Sequence, residues 1–220
     1  MKRAAYIIIF SLIFSLMTAV GFSGCFKGID YSEYISEERT NLYVYEEDGL
    51  NFKVQYSNRE TPYNTDGIKG EMCGIAEIIV TLTSVPDKVT VKIGGQGGEM
   101  NYLAVSKNFY LSFSCNEIRN ESIQVELTVD DDTKQFAATS VLYDGVITGR
   151  QALKCVTEYD KELFDSLTDG RAFYGEIRIR LLYDDGCYYY VGVCDRNGNL
   201  TAYLLDGESG RIIAKRAMNS

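Results

Sequence analysis

Residues 188–205 read YYYVGVCDRNGNLTAYLL. Two apolar, aromatic-rich runs flank Asn197 and Gly198. A two-residue turn between antiparallel strands needs positive φ at both central positions, which Asn and Gly tolerate best. The stretch therefore predicts a hairpin. Alternation along its first strand puts Tyr188 and Tyr190 on one face and Tyr189 on the other. The three rings are thus expected to divide between a core and a wet edge, not to form one platform for sugars or peptides.

The neighbouring segments extend the pattern. Upstream, a run over Phe173 to Tyr183 ends in a turn at Asp184, Asp185 and Gly186, and downstream Asp206 to Gly210 leads to a short strand at Arg211 to Ala214. Before them, Thr148 is placed to cap a helix whose apolar positions Ala152, Cys155, Val156, Tyr159, Leu163, Phe164 and Leu167 recur at three and four. That helix is expected to end near Asp169 and Gly170. One helix packed on a small antiparallel meander makes residues 146–220 an α+β module.

Residues 41–145 follow period two. Leu42 to Tyr45 and Phe52, Val54, Tyr56 alternate about a turn at Glu46, Glu47, Asp48 and Gly49. Further runs stand at Ile75 to Thr83, Val89 to Ile93, Phe109 to Cys115, Ile123 to Val129 and Phe136 to Leu142, with turn-forming residues between them. Short alternating strands at this spacing predict an immunoglobulin-like β-sandwich, without the Cys, Trp, Cys framework of antibody domains. The chain as a whole is expected to be mainly β with an α+β C-terminal part.

The N-terminus has a different character. After Lys2 and Arg3, an apolar stretch of seventeen residues runs from Ala4 to Val20, interrupted only by Ser11, Ser15 and Thr18. A basic start followed by such a stretch marks residues 1–24 as a signal peptide. Phe22, Ser23, Gly24 and Cys25 resemble the lipobox of bacterial lipoproteins, with Phe22 where the family usually carries Leu. The resemblance implies that Cys25 is diacylated and becomes the new N-terminus, with residues 25–40 a lipidated tether. Two acyl chains, at about 0.8 kcal/mol per buried methylene, suffice for durable attachment. An uncleaved anchor, for which about 20 apolar residues are the usual span, and ordinary secretion are the competing expectations.

Removing residues 1–24 leaves 196 residues and takes away the charges of Lys2 and Arg3, moving the formal charge from −9 to −11. So acidic a surface repels phosphate backbones, and no basic stripe offsets it, which argues against a nucleic-acid partner. It also repels anionic headgroups, so membrane contact is expected only through the lipid. The chain has no histidine, which removes Ser-His-Asp and Cys-His nucleophiles and every His-containing metal site.

Besides Cys25 the cysteines are Cys73, Cys115, Cys155, Cys187 and Cys194, an odd number without a CxxC spacing. No zinc cage is signalled. Cys187 and Cys194, seven apart, fall on opposite faces of a strand. A Cys73–Cys115 bridge across the sandwich is geometrically open, while small buried hydrophobes is the expectation for most of them.

Other motifs reduce to turns. Asp130, Asp131 and Asp132 invite a hard cation, but a solvated turn explains them more simply. Asp195, Asn197, Asn199 and Asp206 depart from a calcium loop, since glycine comes fourth and no bidentate Glu stands twelfth. Gly94, Gly95, Gln96, Gly97 and Gly98 lack the Lys-Ser/Thr of a phosphate cradle and read as a sandwich loop. No catalytic, cofactor or metal residue is assigned.

The second half resembles the PepSY domain, a small helix-and-sheet module of secreted and membrane-attached bacterial proteins. The likeness rests on Tyr190, Val191, Gly192, Val193, on Ala202, Tyr203, Leu204, Leu205, and on the closing Asp206, Ser209, Gly210, Arg211, Ile212, Ile213, over about 70 residues. It implies restraint of a peptidase.

The functional expectation is an exported lipoprotein at the outer face of the cell membrane, binding a protein or cell-envelope partner without catalysis. The alternatives are a PepSY-like regulator of an envelope peptidase and a carboxylate-dependent hydrolase such as a glycosidase.

Overall fold

A computed structural model describes residues 28–218 apart from positions 65, 117, 118 and 171. The expected signal peptide and the lipid attachment at Cys25 lie outside the described residues. The described chain is mainly β, a large, mostly antiparallel sheet with two α-helices.

Strand β1 (Ile35–Glu47) organises the molecule. Its first half pairs in parallel with β12 (Gly175–Tyr183), Ile35 opposite Ile177 and Arg39 opposite Arg180. On the other side it pairs along most of its length with β2 (Leu50–Thr61) through the tight turn at Asp48 and Gly49. Its second half also meets β9 (Asp132–Ser140), Tyr43 against Ser140 and Val44 against Thr139. The register of β1 shifts between Arg39 and Asn41, an extra-residue irregularity that bends a strand. There β1 leaves one partner for the other.

From β1 one ladder continues through β2, β3 (Glu71–Leu82), β7 (Asn108–Ser114) and β6 (Asn101–Leu103). The other passes from β9 to β8 (Ser122–Val129), β4 (Val89–Ile93) and β5 (Gln96–Glu99). Only Met100 separates β5 from β6, so the chain crosses there from one ladder to the other. Phe52, Val54, Tyr56, Ile78 and Val80 from the first ladder and Val91, Val125, Leu127 and Phe136 from the second bury one cluster between them. Each is an inward position of a period-two strand. Gly97 and Gly98, expected in a loop, belong to β5. A Cβ on Gly97 would lie 1.9 Å from Val91 O, so close strand approach, and not loop flexibility, explains that glycine.

The second cluster lies under helix α1 (Gly149–Tyr159). Thr148 Oγ1 accepts from Gln151 N at 3.2 Å and the Gln151 side chain accepts from Thr148 N at 2.7 Å, a reciprocal cap that satisfies two helix-end donors. Ala152, Leu153 and Val156 face β12 and β13 (Cys187–Asp195). β14 (Leu200–Asp206) and β15 (Ile212–Met218) complete the meander. The single expected helix is broken at Asp160, where α2 (Lys161–Ser166) begins. Asp160 Oδ2 accepts from Tyr203 Oη and Lys215 Nζ, both at 2.5 Å, while Oδ1 accepts from Leu163 N at 3.4 Å. The carboxylate thus anchors both helices to the sheet and caps the second. Past α2 the chain forms a small ribbon, β10 (Thr168–Asp169) with β11 (Ala172–Phe173), where the helix was expected to continue.

The tether expected over residues 25–40 is shorter among the described residues. Tyr31–Tyr34 form a 3-10 turn whose rings pack edge-on against Phe164 and Phe173, with centroids 4.8 to 5.2 Å apart. Residues 35–40 then lie within β1. Their polar character, Ser36, Glu37, Glu38, Arg39, disguised a strand whose charged face has partners in the C-terminal half.

Candidate functional site: a cleft at the seam

Where β1 bends, a cleft of about 380 Å³ opens between the two halves. Its floor carries Glu38, Arg39 and Asn41, one wall the Arg119–Glu121 segment and Ser140, and the other the start of α1 with Tyr143 and Tyr189. Asn41 is buried and locks the floor. Its Oδ1 accepts from Leu42 N at 2.9 Å and Ser140 Oγ at 2.8 Å, and its Nδ2 donates to Tyr43 Oη at 3.0 Å. Tyr43 Oη donates in turn to Asn120 O at 2.8 Å, tying the wall to the floor. Side-chain amides with all their groups engaged inside a sheet hold one geometry, because any lost partner strands a buried polar atom.

Glu38 sits at the N-terminus of α1. A Cβ on Gly149 would come within 3.0 Å of Glu38 Oε1 and 3.1 Å of Ile179 Cγ2, so the glycine makes room for the carboxylate. Acidic side chains are favoured at a helix N-terminus. Ser140 Oγ donates to Asn41 and also accepts from Leu142 N at 3.1 Å, which commits it to the floor. Tyr189 lies beneath the cleft with its hydroxyl pushed up to about 12, by burial first and then by Cys187 and Glu38. On the rim, Tyr143 donates to Glu208 and is likewise raised to about 12, chiefly by that hydrogen bond.

The face of the sheet opposite α1 carries a second polar feature. Glu37, 1 % exposed, accepts from Arg39 Nε at 2.7 Å, from Tyr63 Oη at 2.6 Å and from two nitrogens of Arg180. Arg178 pairs with fully buried Glu176 and lies over the Tyr63 ring, 5.2 Å from its centroid. Tyr63 and Asn64 belong to the loop after β2, which packs on this face; Arg178 Nη2 donates to Asn64 O at 3.2 Å. Two buried atoms of the layer, Glu176 Oε2 and Arg178 Nε, have no hydrogen-bond partner among the described residues, while Tyr63, Arg39 and Arg180 reach solvent at its edge. The layer clamps the loop to the seam.

The expected acidic motifs are turn devices. Asp195 accepts from Asn197 N, Asn199 N and Asn199 Nδ2 at 2.8 to 2.9 Å, and Asp206 Oδ1 accepts from Ser209 N and Oγ at 2.8 and 2.7 Å. Asp130 takes positive φ in the β8–β9 turn and accepts from Lys88 N at 3.0 Å. Tyr189 is buried while Tyr188 and Tyr190 are half-exposed on the other face, as alternation predicts. Cys73, Cys115, Cys155, Cys187 and Cys194 are free thiols, the last two buried.

Asn41, Glu38 and Glu37 were missed in the sequence because all three lie in or at the end of the presumed tether. The alternation Glu176, Arg178, Arg180 between Ile177, Ile179 and Leu181 was the available signal for a charged second face. No protein-family model matches this chain, and neither a curated protein nor a solved structure is detectably similar to it.

Proposed function

We propose that this chain is an exported lipoprotein, attached by a lipid on Cys25 to the outer face of the cell membrane, whose folded part binds a protein or cell-envelope partner without catalysis. The observation that carries the binding reading is the seam cleft with its preorganised floor. Asn41 and Ser140 are consumed in holding shape, and the Glu38 carboxylate lies against the start of α1. Such a recess favours complementarity to a polar group of a partner. The reading of residues 41–145 as an immunoglobulin-like sandwich is part of the proposal, supported by two ladders facing across one core. A PepSY-like regulator of an envelope peptidase is the second reading, favoured by α1 lying across the β12–β15 meander.

Two experiments test it. Cys25→Ser is expected to abolish the acyl mass increment and release the protein from membranes; retention unchanged in that variant overturns the lipid and points to an uncleaved anchor. A photo-crosslinking residue at Tyr143, on the cleft rim, is expected to capture one envelope protein in cells that the same residue at Val105, fully exposed on the β6–β7 turn, does not. Equal capture from both positions overturns the cleft as the contact.

A further inference from the structure

The strand β15 ends the sheet, with β14 its only neighbour among the described residues, and its residues from Ile213 to Met218 are all exposed. The strands that end the other ladders, β5 and β6, have four and three residues against seven here. An edge strand presents a row of unpaired backbone donors and acceptors, and proteins blunt such edges by shortness, by charged side chains such as Lys, or by bulges. β15 is not short, and it carries Ile213 and Met218, which are 43 % and 38 % exposed.

Its charge is as distinctive as its length. The chain is acidic overall, yet β15 holds Lys215 and Arg216 and no acid. Lys215 stands opposite Tyr203, whose ring is buried on the α1 side, and bonds Asp160 there; Arg216 stands opposite Ala202, on the outer face. Adjacent residues of a strand point to opposite faces; Lys215 is engaged by Asp160 on the α1 side, and the cation exposed on the outer face is Arg216. Around Arg216 the outer face is apolar and half-exposed, formed by Leu200, Ala202 and Leu204.

We infer that β15 is a docking edge for an extended acidic segment of a partner protein, which adds to the sheet as a further antiparallel or parallel strand. Main-chain hydrogen bonds to residues 212–218 supply the affinity, and an acidic side chain meeting Arg216 on the outer face supplies the selection. A second copy of this chain is a poor occupant. Two β15 strands paired antiparallel about their centres would oppose Lys215 to Lys215, and like charges directly opposite are destabilising. The inference rests on the partner-binding reading above and names the chemistry of that partner.

The test uses the full chain in detergent and a short acetylated peptide in which adjacent glutamates are set among valines and threonines. Three results are expected: the peptide binds and slows amide exchange across residues 212–218; Arg216→Glu weakens it by about tenfold; and an N-methylated version, unable to pair along its backbone, does not bind. Equal binding of a lysine-for-glutamate peptide, or binding without protection of residues 212–218, overturns the inference. So does protection of those residues by self-association in the absence of peptide. Capture at Tyr143 that persists while the peptide fails refutes only the edge; loss of both refutes the binding role itself.

Discussion

Glu37 on β1 and Arg180 on β12 are joined by two hydrogen bonds, from Arg180 Nε at 3.0 Å and Nη2 at 2.7 Å to Glu37 Oε2, across a parallel ladder between residues 143 apart in the chain. The pair fastens the beginning of the fold to its end. Removing one member of a buried pair strands the other, which costs about 3 kcal/mol or more. Glu37→Gln, which also weakens the contacts of Arg39 and Tyr63, is expected to lower unfolding stability by about 3 kcal/mol in urea titration.

The two carboxyls of the charged layer titrate in opposite senses. Burial pushes Glu37 up, but hydrogen bonds from Arg180, Tyr63 and Arg39 together outweigh it and hold the group below its usual 4.5. Its stabilisation is therefore complete above that value and is lost as pH falls through the folded pKa. Glu176 is raised above 4.5 by burial, only partly offset by Arg178, so its contribution is present below 4.5 and lost as pH rises through its folded pKa. Urea midpoints measured from about pH 3 to about pH 8 are expected to fall at the acid end less steeply in Glu37→Gln, and to decline less above about pH 4.5 in Glu176→Gln.

Asn41 serves four neighbours at once: Leu42 N, Ser140 Oγ and Tyr43 Oη through its side chain, and Gln55 Nε2 through its carbonyl. Asn41→Ala leaves a buried N–H and two hydroxyls short of a partner, at about 1 to 3 kcal/mol for an unsatisfied buried group. A drop of about 2 kcal/mol in thermal or chemical unfolding is expected, together with loss of the crosslink from Tyr143.

Two adjacent glycines in β5 separate close approach from mere flexibility. Gly97 has φ +150° and faces Val91 O, whereas a Cβ on Gly98 meets nothing within 4 Å. Gly97→Ala is expected to cost about 2 kcal/mol or more, and Gly98→Ala no more than about 0.5 kcal/mol, by melting temperature.

Cutting the chain after Gly145 removes β12 from β1 and exposes Ile35, Leu42 and Val141, which belong to the cluster under α1. The shortened protein is expected to self-associate and to melt without a sharp transition, while the intact chain melts once; calorimetry and gel filtration check both.

Much of the strand content was legible because it is written locally. Asn197-Gly198 specifies its hairpin, Asp48-Gly49 its own, and Thr148 the start of α1. The alternation through Tyr188, Tyr189 and Tyr190 gives their faces. The cleft was not legible, since its floor depends on β1 meeting β12, a pairing of Ile35 with Ile177 that no local pattern encodes. Ser36 to Arg39 look like a solvated linker until Arg180 and Tyr63 are placed beside them. The break at Asp160 was hidden for the same reason: the residue continues a helical periodicity, and only Tyr203 and Lys215, far along the chain, explain why the helix stops there.

The placement of β1 has a mechanical consequence under the proposed N-terminal attachment. Tension arriving through Tyr31 would pull β1 lengthwise, so the rungs that join it to β2 and β12 are loaded together in shear and do not open one at a time like a zipper. The same strand carries the load into both cores. If the chain is anchored through Cys25 as proposed, force reaching β1 passes into both halves of the described fold at once.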